Sequence, residues 1–432
     1  MGRRGVSRKL IAVSSPAVIT PLRRPVEAVV RPPGSKSLTN RALVTAALAH
    51  GGVSRLIGPL EADDTRAMRD GLGMFGVSID DADDPWLVLG RGGVLETPPK
   101  PIDAIESGTT ARFLTALAPL ATGRVEIIGR GRLPQRPFGE LAAALSSLGI
   151  EVQTTNGGLP LSILGQGELP GGRVAVDASR SSQFVTALLL VAPLASGPLE
   201  IEMTGLPVSA PYLESTVEVM VAFGAAVDQN GLVFRVANTG YRSTHIEIEA
   251  DASAAAYPLV AAAITGGRVA IQGIPRESIQ PDLALVEVLA AMGCEVRRGE
   301  FRLELAGPSR LEPVDVEMER APDAVLALAV ACLFASGPSR IRRVGNLRLK
   351  ESDRLAALAE ELTRVGGEAR VEGDDLFVTP GELRKARVDS HGDHRIAMAL
   401  ALVGLRQPGI EIGEPEVVNK TWPSYFKMLG SL

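Results

Sequence analysis

The stretch TGRVEIIG, residues 122–129, combines a small-residue turn, a strand-forming run and a closing glycine, and this phrase recurs along the whole chain. The glycines that close its six copies are Gly58, Gly129, Gly205, Gly273, Gly345 and Gly413. They are separated by 68 to 76 residues. Because self-similarity at a fixed period is typical of chains built from copies of one supersecondary unit, the sequence predicts six units of about 72 residues.

A second recurring phrase lies between these strands, in which a helix end, a glycine and a strand follow one another, as in SLGIEV at residues 147–152. Its glycines are Gly76, Gly149, Gly224, Gly293 and Gly366, with a truncated sixth copy at Gly430. Glycine is common just after a helix C-terminus, so each unit is predicted to hold a helix, a strand, a second helix and a hairpin. The elements predicted for the first unit are a helix over Thr39–Ala49, a strand over Val53–Ile57, a helix over Asp63–Met74, and strands over Val77–Ile79 and Trp86–Leu89.

The number of units constrains the domain organisation. Six units are too many for one small core and too few for an extended solenoid with free ends, so we expect an α/β protein of two lobes with three units each. The chain would cross between the lobes near Pro32–Gly34 and near Glu249–Asp251. The predicted division is a basic leader and strand at 1–33, a first lobe at 34–249 and a second lobe at 250–432. The leader strand, around Val26–Val30, is expected to join the second, C-terminal lobe.

Composition excludes several classes of protein. The 432 residues carry a net charge of −5 and are 45% hydrophobic, and the longest apolar runs, such as Ala324–Ala335, are too short to span a membrane. The 45 basic and 50 acidic residues give no overall attraction to nucleic acid. Two cysteines, Cys294 and Cys332, and four histidines leave little material for a disulfide framework or a transition-metal site. We therefore expect no nucleic acid, membrane or metal as a partner.

The N-terminal residues lack the features of a secretory signal. Residues 1–31 hold seven basic side chains and one acid, Glu27, and the apolar stretch Leu10–Thr20 is interrupted by two serines and Pro16. A signal peptide has a cleaner apolar core and a small-residue cleavage site. We expect a ragged, partly disordered start and a cytoplasmic protein.

The first helix of each unit is predicted to begin at an equivalent place. The residues that mark these six starts are Ser37, Thr109, Ser182, Ser253, Asp323 and Asp393. A helix N-terminus presents free N–H groups and the positive end of the helix dipole, which together bind anions. Basic residues cluster near the same positions, namely Lys36, Arg41, Arg112, Arg136, Lys350, Arg354, Arg395 and Lys420. Any single member could be an ordinary helix cap or a surface charge, but their coincidence favours a ligand with several anionic groups on which all six starts converge.

Carboxylates stand among these cations. Asp323 occupies the fifth helix start, where the first lobe has serine or threonine, and Glu351 follows Lys350 directly. A carboxylate in an anion site is unfavourable unless it is paired, moves a proton or binds a hydroxyl. Asp251 at the fourth start could equally be a simple helix cap. The two cysteines are expected to be core residues.

Ten stretches in a fixed order carry a resemblance to a known family. They are Pro33–Ser37 with Asn40 and Arg41, Ser107–Thr109 with Arg112, Gln135–Pro137, Ser181–Gln183, Ser209 with Pro211 and Tyr212, Asp251–Ser253, Pro322–Ala324, Asn346 with Lys350, Glu351, Asp353 and Arg354, Asp393–Arg395, and Lys420 and Thr421 with Pro423, Tyr425 and Phe426. The chain resembles the 5-enolpyruvylshikimate-3-phosphate synthases, also called 3-phosphoshikimate 1-carboxyvinyltransferases, from about Arg31 to Leu429. No single stretch is decisive, but ten in family order are very specific.

The resemblance implies a fold and a reaction. The fold is the two-lobed enolpyruvyl transferase fold, with three βαβαββ units per lobe and the site in the cleft. The reaction joins the enolpyruvyl group of phosphoenolpyruvate to the 5-hydroxyl of shikimate 3-phosphate and releases phosphate through a tetrahedral intermediate, in the pathway to chorismate and the aromatic amino acids. It uses no cofactor and no metal, and we expect a monomer. The two phosphates and two carboxylates of the substrates suit the clustered cations.

The resemblance also implies roles for individual residues at matching positions. Asp323 would be the base on the 5-hydroxyl, and Glu351 and Lys36 would serve the proton transfers at the enolpyruvyl group. The residues that would hold phosphoenolpyruvate are Lys36, Gly108, Arg136, Gln183, Arg354, Arg395 and Lys420. Those that would hold shikimate 3-phosphate are Ser37, Arg41, Ser181, Ser182, Gln183, Ser209, Asp323, Asn346 and Lys350. Closure of the lobes on shikimate 3-phosphate would complete the site and exclude water.

The chain departs from the family pattern in places. Glu106 stands where the family usually has asparagine, and its carboxylate could repel phosphoenolpyruvate or turn outward and have no effect. Gln280-Pro281-Asp282 replaces the more usual Gln-Gly-Asp. Gly108 is the small residue typical of glyphosate-sensitive members, so glyphosate is expected to inhibit in competition with phosphoenolpyruvate.

Two other functions stay open at this point. The sister enolpyruvyl transferase that acts on UDP-N-acetylglucosamine shares the repeat fold, but its usual form needs a reactive loop cysteine, and neither cysteine lies on a plausible loop. The other alternative is a non-catalytic anion-binding protein, or a divergent paralogue that acts on another cyclic hydroxy acid phosphate. Binding alone would not favour the carboxylates of Asp323 and Glu351, which argues against the non-catalytic version.

Overall fold

The computed structural model describes residues 15–432, so most of the predicted ragged start lies outside the described residues. The helices are α1 (Lys36–Leu48), α2 (Asp63–Met74), α3 (Gly108–Leu117), α4 (Gly139–Ser147), α5 (Gln183–Val191), α6 (Pro211–Ala222), α7 (Ala252–Thr265), α8 (Ala284–Ala291), α9 (Val325–Cys332), α10 (Arg354–Arg364), α11 (His394–Ala401) and α12 (Tyr425–Leu429). The strands are β1 (Ala17–Val18), β2 (Glu27–Val30), β3 (Ala49–His50), β4 (Val53–Ile57), β5 (Ser78–Asp80), β6 (Trp86–Leu89), β7 (Ile102–Asp103), β8 (Thr122–Ile128), β9 (Glu151–Thr155), β10 (Gly158–Gln166), β11 (Gly172–Val176), β12 (Leu199–Met203), β13 (Val227–Asn230), β14 (Val233–Val236), β15 (Tyr241–Arg242), β16 (His245–Glu247), β17 (Arg268–Gln272), β18 (Glu295–Arg298), β19 (Arg302–Ala306), β20 (Asp315–Glu317), β21 (Ser339–Arg342), β22 (Glu368–Glu372), β23 (Asp375–Thr379), β24 (Ala386–Val388) and β25 (Ile410–Ile412).

Six small sheets carry the repeat seen in the sequence. In five of them a lone strand pairs in parallel with a second strand, whose other edge continues into an antiparallel hairpin. Their strand orders are β16-β4-β6-β5, β7-β8-β10-β9, β11-β12-β14-β13, β2-β17-β19-β18 and β20-β21-β23-β22. The sixth sheet, β1-β25-β24, keeps the parallel pair, but the N-terminal strand β1 takes the place of the hairpin. This agrees with the truncated sixth copy in the sequence.

The first and fourth units exchange their lone strands. β2, which precedes the first unit in the chain, pairs in parallel with β17 of the fourth unit. β16, which precedes the fourth unit, pairs in parallel with β4 of the first. The two crossing segments therefore run against each other, so that Ser35 N donates to the Glu249 carbonyl at 2.8 Å and Asp251 N donates to the Pro33 carbonyl at 2.8 Å. Within residues 15–432, these two segments are the only covalent links between the two sets of three units.

Gly34 lies at the centre of the crossing, where only a residue without a side chain fits. It forms a bridge with Ala250, and a Cβ added to it would lie 2.1 Å from the carbonyl oxygen of Gly58. The next nearest atoms also belong to the backbone. No side-chain rotation can therefore make room for a larger residue, and the backbone itself would have to shift.

We expect Gly34→Ala to lower the free energy of unfolding by about 1–3 kcal/mol, the usual cost of forcing a methyl group into close-packed structure. Urea unfolding would measure this change. Gly73→Ala is the matched control, because a Cβ at Gly73 meets nothing within 4 Å and alanine inside a helix should be neutral or slightly stabilising. A Gly34→Ala protein as stable as the control would contradict the steric argument.

Two separate apolar cores lie on either side of the crossing. One is built from residues between Leu38 and Ile248, and the other from residues between Ala250 and Leu429 together with the N-terminal Ile19, Val26 and Val30. Several helices are buried on all sides, as predicted from their apolar sequences; every residue of α9 is buried. From these cores we propose that the lobes divide at 34–249 and 250–432, with β2 of the leader belonging to the second. No helix in residues 15–432 is both long and apolar enough to cross a membrane.

Most boundaries of the first unit match the prediction. β4, α2 and β6 have the predicted limits, and the strand expected over Val77–Ile79 is β5, shifted by one residue. The helix expected over Thr39–Ala49 begins three residues earlier, at Lys36, because Lys36 N donates to Asp251 Oδ2 at 3.0 Å across the crossing. The capping group lies 215 residues away in the chain, so it leaves no local signal in the sequence.

Candidate active site

A cavity opens between the two lobes, and the N-terminal residues of α1, α3 and α5 belong to its lining. The lining residues of the first lobe are Lys36, Ser37, Arg41, Asp64, Gly108, Thr109, Arg112, Phe113, Arg136, Pro137, Arg180, Ser181, Ser182, Gln183, Val208, Ser209 and Tyr212. Those of the second lobe are Asp323, Asn346, Leu349, Lys350 and Glu351. Six lysine and arginine side chains face three carboxylates in this lining, so the cavity is suited to anions.

Arg41 is held rigidly in the first-lobe wall of the cavity. Its guanidinium donates to Thr216 Oγ1 at 2.8 Å, to the Ser37 carbonyl at 2.9 Å and to the Tyr212 carbonyl at 3.1 Å. Burial lowers the pKa of Arg41 to about 10, which still leaves it charged at neutral pH. A cation fixed in this way is preorganised for a ligand and loses little side-chain freedom on binding.

Arg112 lines the cavity and contacts Gln183, one of the predicted phosphoenolpyruvate residues. Its guanidinium stands 4.9 and 5.2 Å from the ring centres of Phe138 and Phe184. It donates to Gln183 Oε1 at 2.6 Å and to the Pro137 carbonyl at 2.9 Å. Burial, reinforced by a neighbouring arginine, holds the pKa of Arg112 well below its usual range. The contact fixes the orientation of Gln183, which was predicted to touch both substrates.

Asp64 joins two lysines that come from opposite lobes. Lys420 Nζ donates to Asp64 Oδ1 at 2.7 Å, and Lys36 Nζ lies 3.3 Å from Oδ2. Burial acts to raise the pKa of Asp64, but the two ammonium groups outweigh it and the pKa is lowered. Burial likewise acts to lower the pKa of Lys420, and the carboxylates of Asp64 and Glu351 raise it. The carboxylate of Asp64 thus bridges the lobes by charge.

Asp323 enters the cavity surrounded by cations. Arg354 Nη1 lies 2.9 Å from Oδ1, Arg395 Nη2 lies 2.9 Å from Oδ2, and Lys350 Nζ lies 3.9 Å from Oδ1. Burial acts to raise the pKa of Asp323, but Arg395, Lys350 and Arg354 together lower it below its ordinary value. The carboxylate is therefore ionised, and an ionised carboxylate in a cavity can accept a proton from a bound hydroxyl.

Arg354 ties three carboxylates together behind the cavity, although only 1% of its side chain is exposed. Its Nε donates to Asp393 Oδ2 at 2.7 Å, its Nη1 reaches Asp323, and its Nη2 lies 2.8 Å from Glu351 Oε2. Burial acts to lower the pKa of Arg354, but the carboxylates raise it. Glu351 also lies 3.7 Å from Arg136 Nη1. Burial acts to raise the pKa of Glu351, and the two arginines hold it well below its usual range.

The structure brings the predicted site residues together. The nine residues predicted to hold shikimate 3-phosphate all line the cavity, namely Ser37, Arg41, Ser181, Ser182, Gln183, Ser209, Asp323, Asn346 and Lys350. The predicted phosphoenolpyruvate residues that line it are Lys36, Gly108, Arg136 and Gln183. Arg354 and Arg395 lie behind Asp323, and Lys420 lies behind Asp64, each paired with that carboxylate. The chemical role of each residue stays a prediction.

The expectation that all six helix starts converge on one ligand is wrong for two of them. At α7, Asp251 Oδ1 accepts from Ala254 N at 2.9 Å, and at α11, Asp393 Oδ1 accepts from Arg395 N at 2.9 Å. A carboxylate that already caps the helix leaves no place for an anion. Neither start belongs to the cavity lining. Asp251 is thus a helix cap, the simpler of the two interpretations given to it above.

The sequence reasoning missed Asp64. It counted Arg112 among the clustered cations but assigned neither Arg112 nor Tyr212 to a substrate. Asp64 lies in the first turn of α2, where an acid usually serves only the helix dipole. The signal that could have revealed it is periodicity, because Asp64 shares the buried face of α2 with Met68 and Leu72. A carboxylate on an apolar stripe needs a buried partner, and the partners here are the two lysines.

Glu106 turns its carboxylate away from the cavity. A Cβ on Gly131 would lie 2.2 Å from Glu106 Oε1, which places the carboxylate against that glycine. Only the backbone carbonyl of Glu106 faces the site, where it accepts from Lys420 Nζ at 3.0 Å. Of the two outcomes left open above, the structure has the outward one.

One side-chain group within residues 15–432 has the geometry to hold an ion, formed by Glu360, Glu361 and His391. Arg364 already binds both carboxylates, at 2.7 Å from Glu360 Oε1 and 2.9 Å from Glu361 Oε2. His391 Nε2 lies 3.1 Å from the other oxygen of Glu361. We interpret this group as an ion-pair cluster that holds the loop before α11 against α10.

Comparison with known proteins agrees with the fold and the site. The chain matches the family model for EPSP synthase (3-phosphoshikimate 1-carboxyvinyltransferase) over residues 22–429. A 3-phosphoshikimate 1-carboxyvinyltransferase from Rhizobium leguminosarum bv. trifolii is 40% identical over 423 residues, which are 96% of this chain and 96% of that protein. These matches confirm the resemblance found in the sequence.

Solved structures agree with the predicted fold class. The structure of an EPSP synthase from Acinetobacter baumannii is similar with a TM-score of 0.82 and 25% identity, covering 97% of this chain and 98% of that one. The enolpyruvyl transferase NikO from Streptomyces tendae is similar in fold, with a TM-score of 0.78 and 20% identity over 97% of each chain. The two-lobed enolpyruvyl transferase fold is thereby confirmed.

Proposed function

Since the chain belongs to the EPSP synthase (3-phosphoshikimate 1-carboxyvinyltransferase) family, we propose that it transfers the enolpyruvyl group of phosphoenolpyruvate to the 5-hydroxyl of shikimate 3-phosphate and releases phosphate. The observation that carries this proposal is the position of Asp323. Its ionised carboxylate stands in a cavity whose remaining walls are rich in cations. A base among anion-binding groups is what the addition of a hydroxyl to a phosphorylated enol requires.

The addition step would use the residues on both sides of the cavity. Asp323 takes the proton of the 5-hydroxyl as its oxygen bonds to C2 of phosphoenolpyruvate, and C3 gains a proton from the pair Glu351 and Lys36. In the elimination step, C3 loses a proton to the same pair while the bond from C2 to the phosphate oxygen breaks. Phosphate then leaves with the electron pair of that bond and takes up the proton held by Asp323, which returns this carboxylate to its ionised form, so atoms and charges balance.

The cations that pair with Asp323 make its basicity depend on whether phosphoenolpyruvate is bound. Arg354 and Arg395, which help to lower its pKa, are also predicted to hold phosphoenolpyruvate. When the substrate anions take over these cations, the lowering of the Asp323 pKa is partly relieved and the carboxylate becomes a stronger base. Asp323 would therefore gain basicity when phosphoenolpyruvate is in place, which couples proton removal to the presence of both substrates.

The alternative transfer to UDP-N-acetylglucosamine is disfavoured by the cysteines. Cys332 is completely buried in α9 and Cys294 is 6% exposed. Burial raises the pKa of each thiol to about 12, so neither forms the thiolate that a reactive loop cysteine must supply. A purely anion-binding protein is disfavoured by the carboxylates of Asp323, Glu351 and Asp64 in the cavity lining, which would compete with any anionic ligand.

The test is phosphate release by the purified chain, without added metal, given shikimate 3-phosphate and phosphoenolpyruvate together and each alone. Release only with both, with an enolpyruvyl product, is the expected result. Binding of shikimate 3-phosphate without release would point to a failed phosphoenolpyruvate half of the site. Failure to bind either compound would mean that this fold serves another substrate.

Glyphosate is expected to inhibit in competition with phosphoenolpyruvate, since its phosphonate and carboxylate can use the same cations. Gly108 keeps that space open, because a Cβ there would lie 2.7 Å from Arg136 Nη1. Initial rates at several phosphoenolpyruvate concentrations should show a raised apparent KM and an unchanged kcat. Activity that is unchanged at millimolar glyphosate would contradict this prediction.

We also propose that the enzyme works as a monomer in the cytoplasm. The proposal is supported by the residues predicted to hold both substrates, which line one cavity or pair with its carboxylates. Sedimentation of the purified protein would test the monomer.

A further inference from the structure

The loop between β17 and α8 braces the second crossing between the lobes. Gln280 Oε1 accepts from Ala252 N at 3.0 Å, and Gln280 Nε2 donates to the Ala250 carbonyl at 2.9 Å and to Glu249 Oε2 at 2.7 Å. Ser278 Oγ donates to the same Glu249 oxygen. The loop is therefore fixed to the segment that connects the lobes. Asp282, two residues after Gln280, is held in place by these hydrogen bonds.

Asp282 uses one oxygen to join the two lobes. Its Oδ2 accepts from Tyr212 Oη at 2.8 Å and from Ser253 Oγ at 2.7 Å. Tyr212 is on α6 of the first lobe, while Ser253 is on α7 of the second. Asp282 is 4% exposed, and its other oxygen is buried without a hydrogen-bond partner. The Tyr212 contact thus spans the cleft, whereas the Ser253 contact stays within one lobe.

Tyr212 connects this contact to the substrate cavity. Its side chain lines the cavity, and its backbone carbonyl accepts from Arg41 Nη2 at 3.1 Å and from Thr216 Oγ1 at 2.7 Å. A displacement of Tyr212 would therefore also displace Arg41, which is predicted to hold shikimate 3-phosphate. The first-lobe wall of the cavity is in this way tied to a carboxylate of the second lobe.

The charges around Asp282 support a strong hydrogen bond at neutral pH. Burial, together with the nearby carboxylate of Asp323, raises the pKa of Asp282 to about 6, while Arg395 acts to lower it. Burial also holds the pKa of Tyr212 well above its usual range. Near pH 7.5 the pair is therefore a protonated phenol that donates to an ionised carboxylate, and such charge-assisted bonds are stronger than neutral ones.

From these contacts we propose that Asp282 is a positioning residue that latches Tyr212, and with it the first-lobe wall of the cavity, to the second lobe, and so sets the affinity for shikimate 3-phosphate. The inference rests on the proposed function for the identity of the ligand. Asp282 touches neither the proposed base nor the predicted proton donors. The latch is therefore expected to change substrate affinity and to leave the chemical steps intact.

Calorimetric titration with shikimate 3-phosphate at pH 7.5 tests the latch. Asp282→Ala and Tyr212→Phe should each weaken binding by about ten- to a hundredfold, the range for a lost hydrogen bond to a charged group. The double variant should be no weaker than Asp282→Ala alone, because both changes remove the same contact. Asp282→Asn keeps an oxygen acceptor but loses the negative charge, so it should bind more weakly than wild type and more tightly than Asp282→Ala. At saturating substrate, kcat should change by less than about threefold in the two Asp282 variants.

Ser253→Ala is the matched control, since it removes a hydroxyl from the same carboxylate oxygen without crossing the cleft. It should leave the affinity within about threefold of wild type. Equal weakening by Ser253→Ala and Tyr212→Phe would overturn the latch, as would additive effects of Tyr212→Phe and Asp282→Ala. An Asp282→Asn protein as weak as Asp282→Ala would also overturn it.

Small-angle X-ray scattering of the free protein gives a readout that needs no substrate. The radius of gyration should be larger for Asp282→Ala and Tyr212→Phe than for wild type and Ser253→Ala, because the cleft opens when the latch is lost. If wild type fails to bind shikimate 3-phosphate, the proposed function fails, and the scattering alone decides the latch. An unchanged radius of gyration in both latch variants would then overturn it.

Discussion

Replacing Asp323 by alanine is expected to lower kcat by about 10²–10⁴-fold, the usual contribution of a positioned general base, while shikimate 3-phosphate still binds. The physical reason is the arrangement described above, in which this carboxylate is ionised, faces the cavity and pairs with Arg354 and Arg395. Steady-state rates and calorimetric binding, measured on the same preparation, separate the loss of turnover from any loss of affinity.

Binding of shikimate 3-phosphate should fall far less than turnover in Asp323→Ala, because the lost contact to the hydroxyl is offset by two arginines that are freed for the anionic groups. Kept or improved anion binding without any turnover in wild type would instead indicate a pure anion-binding protein. Asp315→Ala is the matched control, since Asp315 is an exposed aspartate of the same lobe that pairs with Arg342. It should have wild-type kinetics. An Asp323→Ala protein that binds anions and also keeps full turnover would exclude Asp323 as the base, and a wild-type protein without turnover would favour a non-catalytic function.

The repeat and the lobes could be predicted because short, local sequence patterns define them. Glycines at matching positions, apolar helices and hairpin turns recur in each unit, and every one of these signals lies within a few residues of the element that it defines. The exchange of β2 and β16 between the first and fourth units was anticipated for β2 only. The reciprocal pairing of β16 with β4 depends on a contact between distant segments, which no local pattern reveals.

The sequence predicted the cations of the candidate site more fully than the carboxylates that pair with them. Its cations stand out in sequence because a positive side chain is unfavourable near a helix N-terminus unless an anion offsets it. The partners of those cations do not stand out, because acids such as Asp64 and Asp393 are also ordinary helix-start residues. The same ambiguity produced the wrong expectation for the starts of α7 and α11, where an aspartate serves as the cap and excludes an anion.

The outward turn of Glu106 could not have been foreseen from its position beside Ser107 and Gly108. The side chain leaves the cavity because Ile105, just before it, has a φ of 53°, a left-handed backbone conformation that is rare for a β-branched residue. That turn directs the Glu106 carbonyl to Lys420 and the carboxylate to Gly131. The carboxylate is therefore kept out of the cavity lining, and its remaining electrostatic effect is to help raise the pKa of Lys420.

Arg354→Met is expected to lower the free energy of unfolding by about 3–5 kcal/mol, the cost of removing one partner from a buried ion pair. Arg354 is 1% exposed, and its removal leaves the completely buried Asp393 without its bidentate partner. Urea unfolding near pH 7.5 would measure the change. Arg66→Met, which breaks an exposed pair with Asp63 on α2, is the matched control and should cost less than about 1 kcal/mol.

The dependence of this difference on pH identifies its electrostatic origin. The pKa values of Asp323 and Glu351 are lowered in the folded protein, with Arg354 among the causes. The stability that ionised carboxylates gain from Arg354 is therefore complete above their unfolded pKa values near 4, and it is lost as the pH falls below them. We expect the difference in the free energy of unfolding between wild type and Arg354→Met to be largest near neutrality and to narrow below about pH 4.

Arg354→Lys should recover only part of the stability, because a single ammonium cannot span three carboxylates as a planar guanidinium does. If the difference in the free energy of unfolding between wild type and Arg354→Met stays constant down to pH 3, the cause is lost packing and not lost ion pairs.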